Sequence, residues 1–133
     1  MSLNGLTRMD IDATDLQKVV SGIEDFINLV ETGRLRAARE LLERMPGYLR
    51  ALILVSKAQS RAAPRGVQKN HYRAMGEDLN LICERAEQAE QMMDVGKHVD
   101  AMMLKNCLGV ARCLLDLQHL QDERIARKEK SNG

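Results

Sequence analysis

Aromatic side chains are almost missing from this chain of 133 residues, which has no tryptophan and only Phe26, Tyr48 and Tyr72. Sheets are stabilised by aromatic and β-branched bulk on a pleated surface, so this shortage argues against strands. Two prolines and nine glycines are too few for the closely spaced reversals of a sandwich or barrel. Cys83, Cys107 and Cys113 are odd in number and show no Cys-x-x-Cys pairing, which excludes a disulfide framework and argues against structural zinc. Set among apolar neighbours, they suit the reduced thiols of a cytoplasmic protein. No apolar run approaches the ~18 residues of a membrane span. The opening Met1-Ser2-Leu3-Asn4-Gly5-Leu6 has neither the charged nor the apolar region of a signal peptide. A glycine-rich phosphate loop and a nucleophile elbow are also missing, so no enzyme class and no cofactor is implied.

Leucine, alanine and methionine are abundant instead, and their unbranched side chains lose little freedom on a helix. Behind the cap candidates Asp12-Ala13-Thr14-Asp15, the residues Leu16, Val19, Val20, Ile23, Phe26, Ile27 and Val30 recur at spacings of three and four, which predicts an amphipathic helix. Gly33 suits the left-handed residue just past its end. A second helix is expected over Leu35, Ala38, Leu41, Leu42 and Met45, stopping at Pro46-Gly47. A third is expected to start on Pro46 and carry Leu49, Leu52, Ile53 and Ser56. The segment 60–66, with Pro64 and Gly66, is the clearest break. From Val67 to about Lys128 one stripe holds Met75, Leu79, Ile82, Ala86, Ala89 and Met93, and another holds Val99, Met103, Cys107, Val110, Leu114 and Leu117. Phase is lost around Asp94-Val95-Gly96-Lys97, so a turn is expected at Gly96. The rival reading is one uninterrupted helix exposing its stripe to a dimeric coiled coil. The stretch from Gly33 to Pro46 resembles half of a tetratricopeptide unit, but Gly22 and Phe26 do not fit the other half.

Charge is balanced overall, with 20 Lys and Arg against 19 Asp and Glu, but it is segregated along the chain. Residues 34–73 carry ten basic and two acidic side chains, and both flanking segments are acidic. Arg34, Arg36, Arg39 and Arg50 in this block are candidate partner-binding residues. The block fits complementary packing within the chain or between subunits, or an acidic protein partner. The alternative is a nucleic-acid-associated regulator whose segment 34–73 contacts phosphates. Too few aromatics interleave with the block for a stacking platform. Asp94 with His98 and Asp116 with His119 share helix faces, but the further acidic ligands of a di-metal bundle are missing, so no metal site is assigned. Met92-Met93 and Met102-Met103 flank the Gly96 turn. Adjacent methionines cannot both face one stripe, so at least one of each pair is expected at a core edge or recognition surface, and all four are candidate partner-binding residues.

The hairpin from Ile23 to Met45 turning on Glu31-Thr32-Gly33, then a third helix, then a long helix holding Glu84-Arg85-Ala86-Glu87-Gln88-Ala89-Glu90-Gln91, resembles the small all-helical chaperones of bacterial flagellar type III export. That resemblance, over about residues 15–120, implies a non-enzymatic protein with an apolar groove for a helical segment of a partner; the strongly basic middle departs from it. The expected fold is a single all-α domain over 1–133: an antiparallel bundle of four to five helices built from two hairpins, the second long and coiled-coil-like. Residues 1–13 are expected to be flexible and 122–133 to form a frayed charged tail. The expected job is holding a helical or acidic protein partner, in a homodimer and away from membranes.

Overall fold

The structure is a computed structural model that describes residues 11–99 and 102–132. Among the described residues there are four α-helices and no strand: α1 (Ala13–Glu31), α2 (Leu35–Ala62), α3 (Val67–Asp94) and α4 (Met102–Asn132). They form a helical bundle in which α1 packs on α2 and α4, and α3 packs on α2 and α4. The α2–α3 contact is the most extensive of the four.

Both expected glycine stops are present and use the same device. At the end of α1, Gly33 takes φ 76°, its N–H donates to the Val30 carbonyl and the Arg34 N–H donates to the Leu29 carbonyl. At the end of α3, Gly96 takes φ 72°, its N–H donates to Met93 and the Lys97 N–H donates to Met92. Each pair of bonds satisfies carbonyls that the last helical turn leaves open, with a conformation that glycine adopts without strain. The Gly96 turn therefore divides the long helical stretch, and the single uninterrupted helix is not formed. At the other end of α1, Asp12 and Asp15 cap each other: the Asp12 carboxylate accepts from the Asp15 N–H and the Asp15 carboxylate accepts from the Asp12 N–H, both at 3.0 Å.

The expected stop at Pro46-Gly47 is not there. α2 runs through Pro46 without a break, so two expected helices are one and the bundle has four helices. A proline inside a helix removes one backbone bond and costs about 3 kcal/mol. Continuity of packing offsets that cost, because Ala38, Leu42, Met45, Leu49, Leu52, Ile53 and Ser56 keep the same period across the proline and are all buried. Leu35, placed on this stripe by spacing, is instead 53% exposed at the first turn. The break after α2 is shorter than 60–66, since the helix continues to Ala62.

Residues 1–10 of the N-terminal segment lie outside the described residues. Ile11, also expected to be flexible, is buried, and its N–H donates to Gln59 Oε1 at 2.9 Å. The tail expected to fray, from Asp122 onward, is helical to Asn132, and its side chains from 122 to 130 are exposed. α4 thus has a packed part and a bare part. Leu104, Cys107, Ala111, Leu114, Gln118 and Gln121 form its buried row, at alternating spacings of three and four. The next position in that row is Ile125, which is 39% exposed.

Candidate functional site

Ten basic side chains follow one another from Arg34 to Arg73, and the fold sorts them into two groups. In the first group, from the N-cap of α2 to just past its middle, most are answered by acids. Arg39 pairs with Asp94 at the end of α3 and lies 3.5 Å from Glu43. The hydrogen bond to Asp94 and that carboxylate's charge raise the Arg39 pKa above its ordinary value. Arg50 pairs with Glu87 of α3, and Arg36 lies 4.0 Å from Glu40 in a largely solvated pair. Arg34 is exposed at the N-cap of α2 and makes no ion pair among the described residues. Of the four arginine candidates, three therefore meet acids of the chain itself, and Arg34 meets none among the described residues.

The second group surrounds the turn from α2 into α3. Lys57, Arg61, Arg65, Lys69 and Arg73 form no ion pair among the described residues. Lys69 Nζ donates to the Ser60 carbonyl at 2.9 Å, and Arg73 donates to Asn70 Oδ1 at 3.3 Å. Lys57, Ser60 and Arg61 of α2 face Arg73, Glu77 and Asn80 of α3 across an open cleft of about 410 Å³. The floor is narrow because the helices approach closely there: a Cβ added to Gly76 would lie 2.8 Å from Ser56 Oγ. No large apolar side chain lines this cleft.

The four methionine candidates are divided as well. Met92 and Met103 share a shallow hollow of about 480 Å³ with Gln88, Gln91, Val95 and Lys97. Met93 is half-buried against the core, while Met102 is 54% exposed. One member of the second pair thus faces solvent, as adjacency on a helix requires.

A third surface was not singled out by the sequence. Val110, Cys113, Leu117 and Leu120 follow at spacings of three and four along α4, on a flank of its buried row. Cys113 is exposed, Leu117 is 48% exposed and Leu120 is 51% exposed. Spacing did signal this row, but the stronger neighbouring row that includes Leu114 concealed it.

Among the described residues the two buried thiols are not activated and no ion cage is formed. The Cys83 thiol donates to Glu87 Oε1 at 3.3 Å; burial, reinforced by that carboxylate, pushes it up to about 11. Burial also raises Cys107. Reactive thiols need the opposite shift. No three or more His, Cys, Asp or Glu residues gather to hold an ion among the described residues, and Asp94 is engaged by Arg39. His71 Nε2 lies 3.1 Å from Gln118 Oε1 and its ring meets Tyr72 edge-on. Among the described residues, no helix is long and apolar enough to cross a membrane.

No protein-family model matches the sequence, and searches of curated proteins and of solved structures return no match.

Proposed function

We propose that the protein is a non-enzymatic helical interaction module of the cytoplasm, an adaptor or export-chaperone-like protein that holds a helical partner and pairs with a second copy of itself. The reading includes an antiparallel arrangement of the four helices. It is supported by ion pairs joining the start of one helix to the end of another, as in Arg39 with Asp94 and Lys105 with Glu31.

The observation that carries the reading is the apolar row on α4. Leu117 and Leu120 expose large side chains three residues apart on the part of the helix that reaches the end of the bundle, and Ile125, on the neighbouring row, is 39% exposed beyond them. Scattered exposed leucines are ordinary, but a row at helical spacing is a face for another helix. An isolated helical segment is marginal in water, so the length beyond Gln121 gains stability when its apolar side is covered. The shared hollow at Met92 and Met103 adds a second adaptable apolar surface.

The test is sedimentation equilibrium of the wild type and of Leu117→Glu/Leu120→Glu. The expected result is a dimer that the double variant converts to a monomer with unchanged helical circular dichroism. A wild-type protein that stays monomeric at high micromolar concentration would overturn the self-association part. If the double variant also pairs as the wild type does, the row on α4 is not the contact.

A further inference from the structure

The cleft between the end of α2 and the start of α3 has chemistry unlike the apolar row, and it stands or falls independently of it. Five cations, Lys57, Arg61, Arg65, Lys69 and Arg73, crowd one end of the molecule without a carboxylate partner among the described residues. Elsewhere among the described residues six cations, Arg36, Arg39, Arg50, Lys105, Arg112 and Arg127, do meet carboxylates. Like charges gathered at one end of a molecule repel one another, and a bound anion relieves that repulsion.

We propose that this cleft binds the phosphates of a nucleic-acid backbone, without selecting base sequence. Lys57 and Arg61 stand one helical turn apart, about 6 Å along α2, and Arg73 faces them from α3. Arginine presents a planar fork of donors that matches a phosphate, and Ser60 and Asn80 add neutral polar groups to the walls. The volume of about 410 Å³ lies at the lower end of the range for ligand sites, far more than a lone ion requires.

The polymeric form of the ligand follows from what continues outside the cleft. Arg65 and Lys69 continue the basic series through the turn into α3, beyond the residues that line the cleft. Gly66 leaves the N-terminus of α3 without a side-chain cap, so the positive end of that helix faces the same region. An acidic peptide is the weaker fit, because a peptide brings apolar side chains and, among the described residues, no large apolar side chain lines the cleft to receive them. Base selection is not part of the proposal: no aromatic ring lines the cleft, and the nearby Tyr72 is only 5% exposed, so there is no stacking platform.

Glu77 gives the proposal a sign that a merely cationic surface would not have. Among the described residues it is the one acid lining the cleft and opposes a phosphate there, so Glu77→Gln is expected to tighten binding about threefold.

The experiment is fluorescence anisotropy of the full chain with a labelled duplex and a labelled single strand, each of about 20 nucleotides, across sodium chloride from about 50 to 200 mM. A dissociation constant of about 1 to 100 µM at the lowest salt is expected, weakening steeply as salt rises. Lys57→Gln/Arg61→Gln/Arg73→Gln should lose at least about tenfold, with a log–log salt slope shallower by about 2 to 3. Arg34→Gln/Arg36→Gln/Arg44→Gln, an equal charge change on the first half of α2, should lose less than about threefold. All six positions are exposed, and circular dichroism of each variant is the check on its folding. No binding at the lowest salt, or equal losses in the two triple variants, overturns the proposal. So does displacement by polyglutamate as effective as by unlabelled duplex, which assigns the cleft to an acidic protein. Pyrophosphate competing as well as duplex at equal phosphate concentration overturns the polymeric ligand.

Discussion

The α2–α3 pair and the outer part of α4 are both helical but end in opposite states. Between α2 and α3 the apolar positions keep phase over both helices, and Leu49, Leu52, Met75, Leu79 and Ile82 are fully enclosed. On α4 the buried row ends at Gln121; Ile125 continues its spacing for one more position, is 39% exposed, and is followed by a charged stretch. Periodicity specifies which face of a helix is apolar, while burial requires a partner of matching length. α4, at 31 residues, is the longest helix and outlasts its neighbours.

The sharpest break of that comparison is a pair of leucines. Leu52→Ala, at a site of 0% exposure, is expected to cost about 3 kcal/mol in urea denaturation, whereas Leu120→Ala in dilute, monomeric protein should cost under about 0.5 kcal/mol. Similar losses at the two sites would mean that the end of α4 is covered within one chain.

A smaller effect comes from the thiol that faces α2. The Cys83 pKa rises from 9.0 to about 11 in the folded protein. The unfolded chain therefore releases the Cys83 proton at a lower pH than the native protein does. The extra stability is complete below pH ~9 and is lost as pH rises through the folded value, by roughly 2 kcal/mol at most. Denaturation midpoints of the wild type and Cys83→Val between pH 8 and pH 11 check this: the gap between them should change over that window. A constant gap would show that the native environment leaves this thiol unshifted.

The smallest effect tests the close approach of the two helices. Gly76→Ala gains about 1 kcal/mol of helix propensity but sets its Cβ against Ser56 Oγ, a hydroxyl held by a 2.8 Å bond to the Ile53 carbonyl. The substitution is expected to cost about 1 kcal/mol alone and to become neutral or stabilising in a Ser56→Ala background. A thermal double-mutant cycle without that change of sign would place the constraint at Gly76 elsewhere.

Much of the fold is legible in the sequence because it rests on short-range rules. The cap at Asp12, the glycine stops at Gly33 and Gly96, and the break near Pro64 each depend on a few adjacent residues. Pro46 shows where such rules fail. The local preference to stop was outweighed by burial of Leu42, Met45, Leu49 and Leu52 against helices distant in sequence. The candidate surfaces were legible only in part. The basic block is plain in the sequence, yet which arginines are neutralised depends on Asp94 and Glu87, which reach them only through folding. Lys57, Arg61 and Arg73 form a cleft because two helices cross closely at Gly76, and no spacing along one helix encodes that.

The unequal settings of the three thiols have a practical consequence. Cys83 and Cys107 are enclosed and protonated at neutral pH, and Cys113 stands in solvent. A maleimide dye added to the unmodified native protein will therefore attach at one place, midway along the exposed edge of α4. Its emission becomes a built-in reporter of whatever settles on that edge.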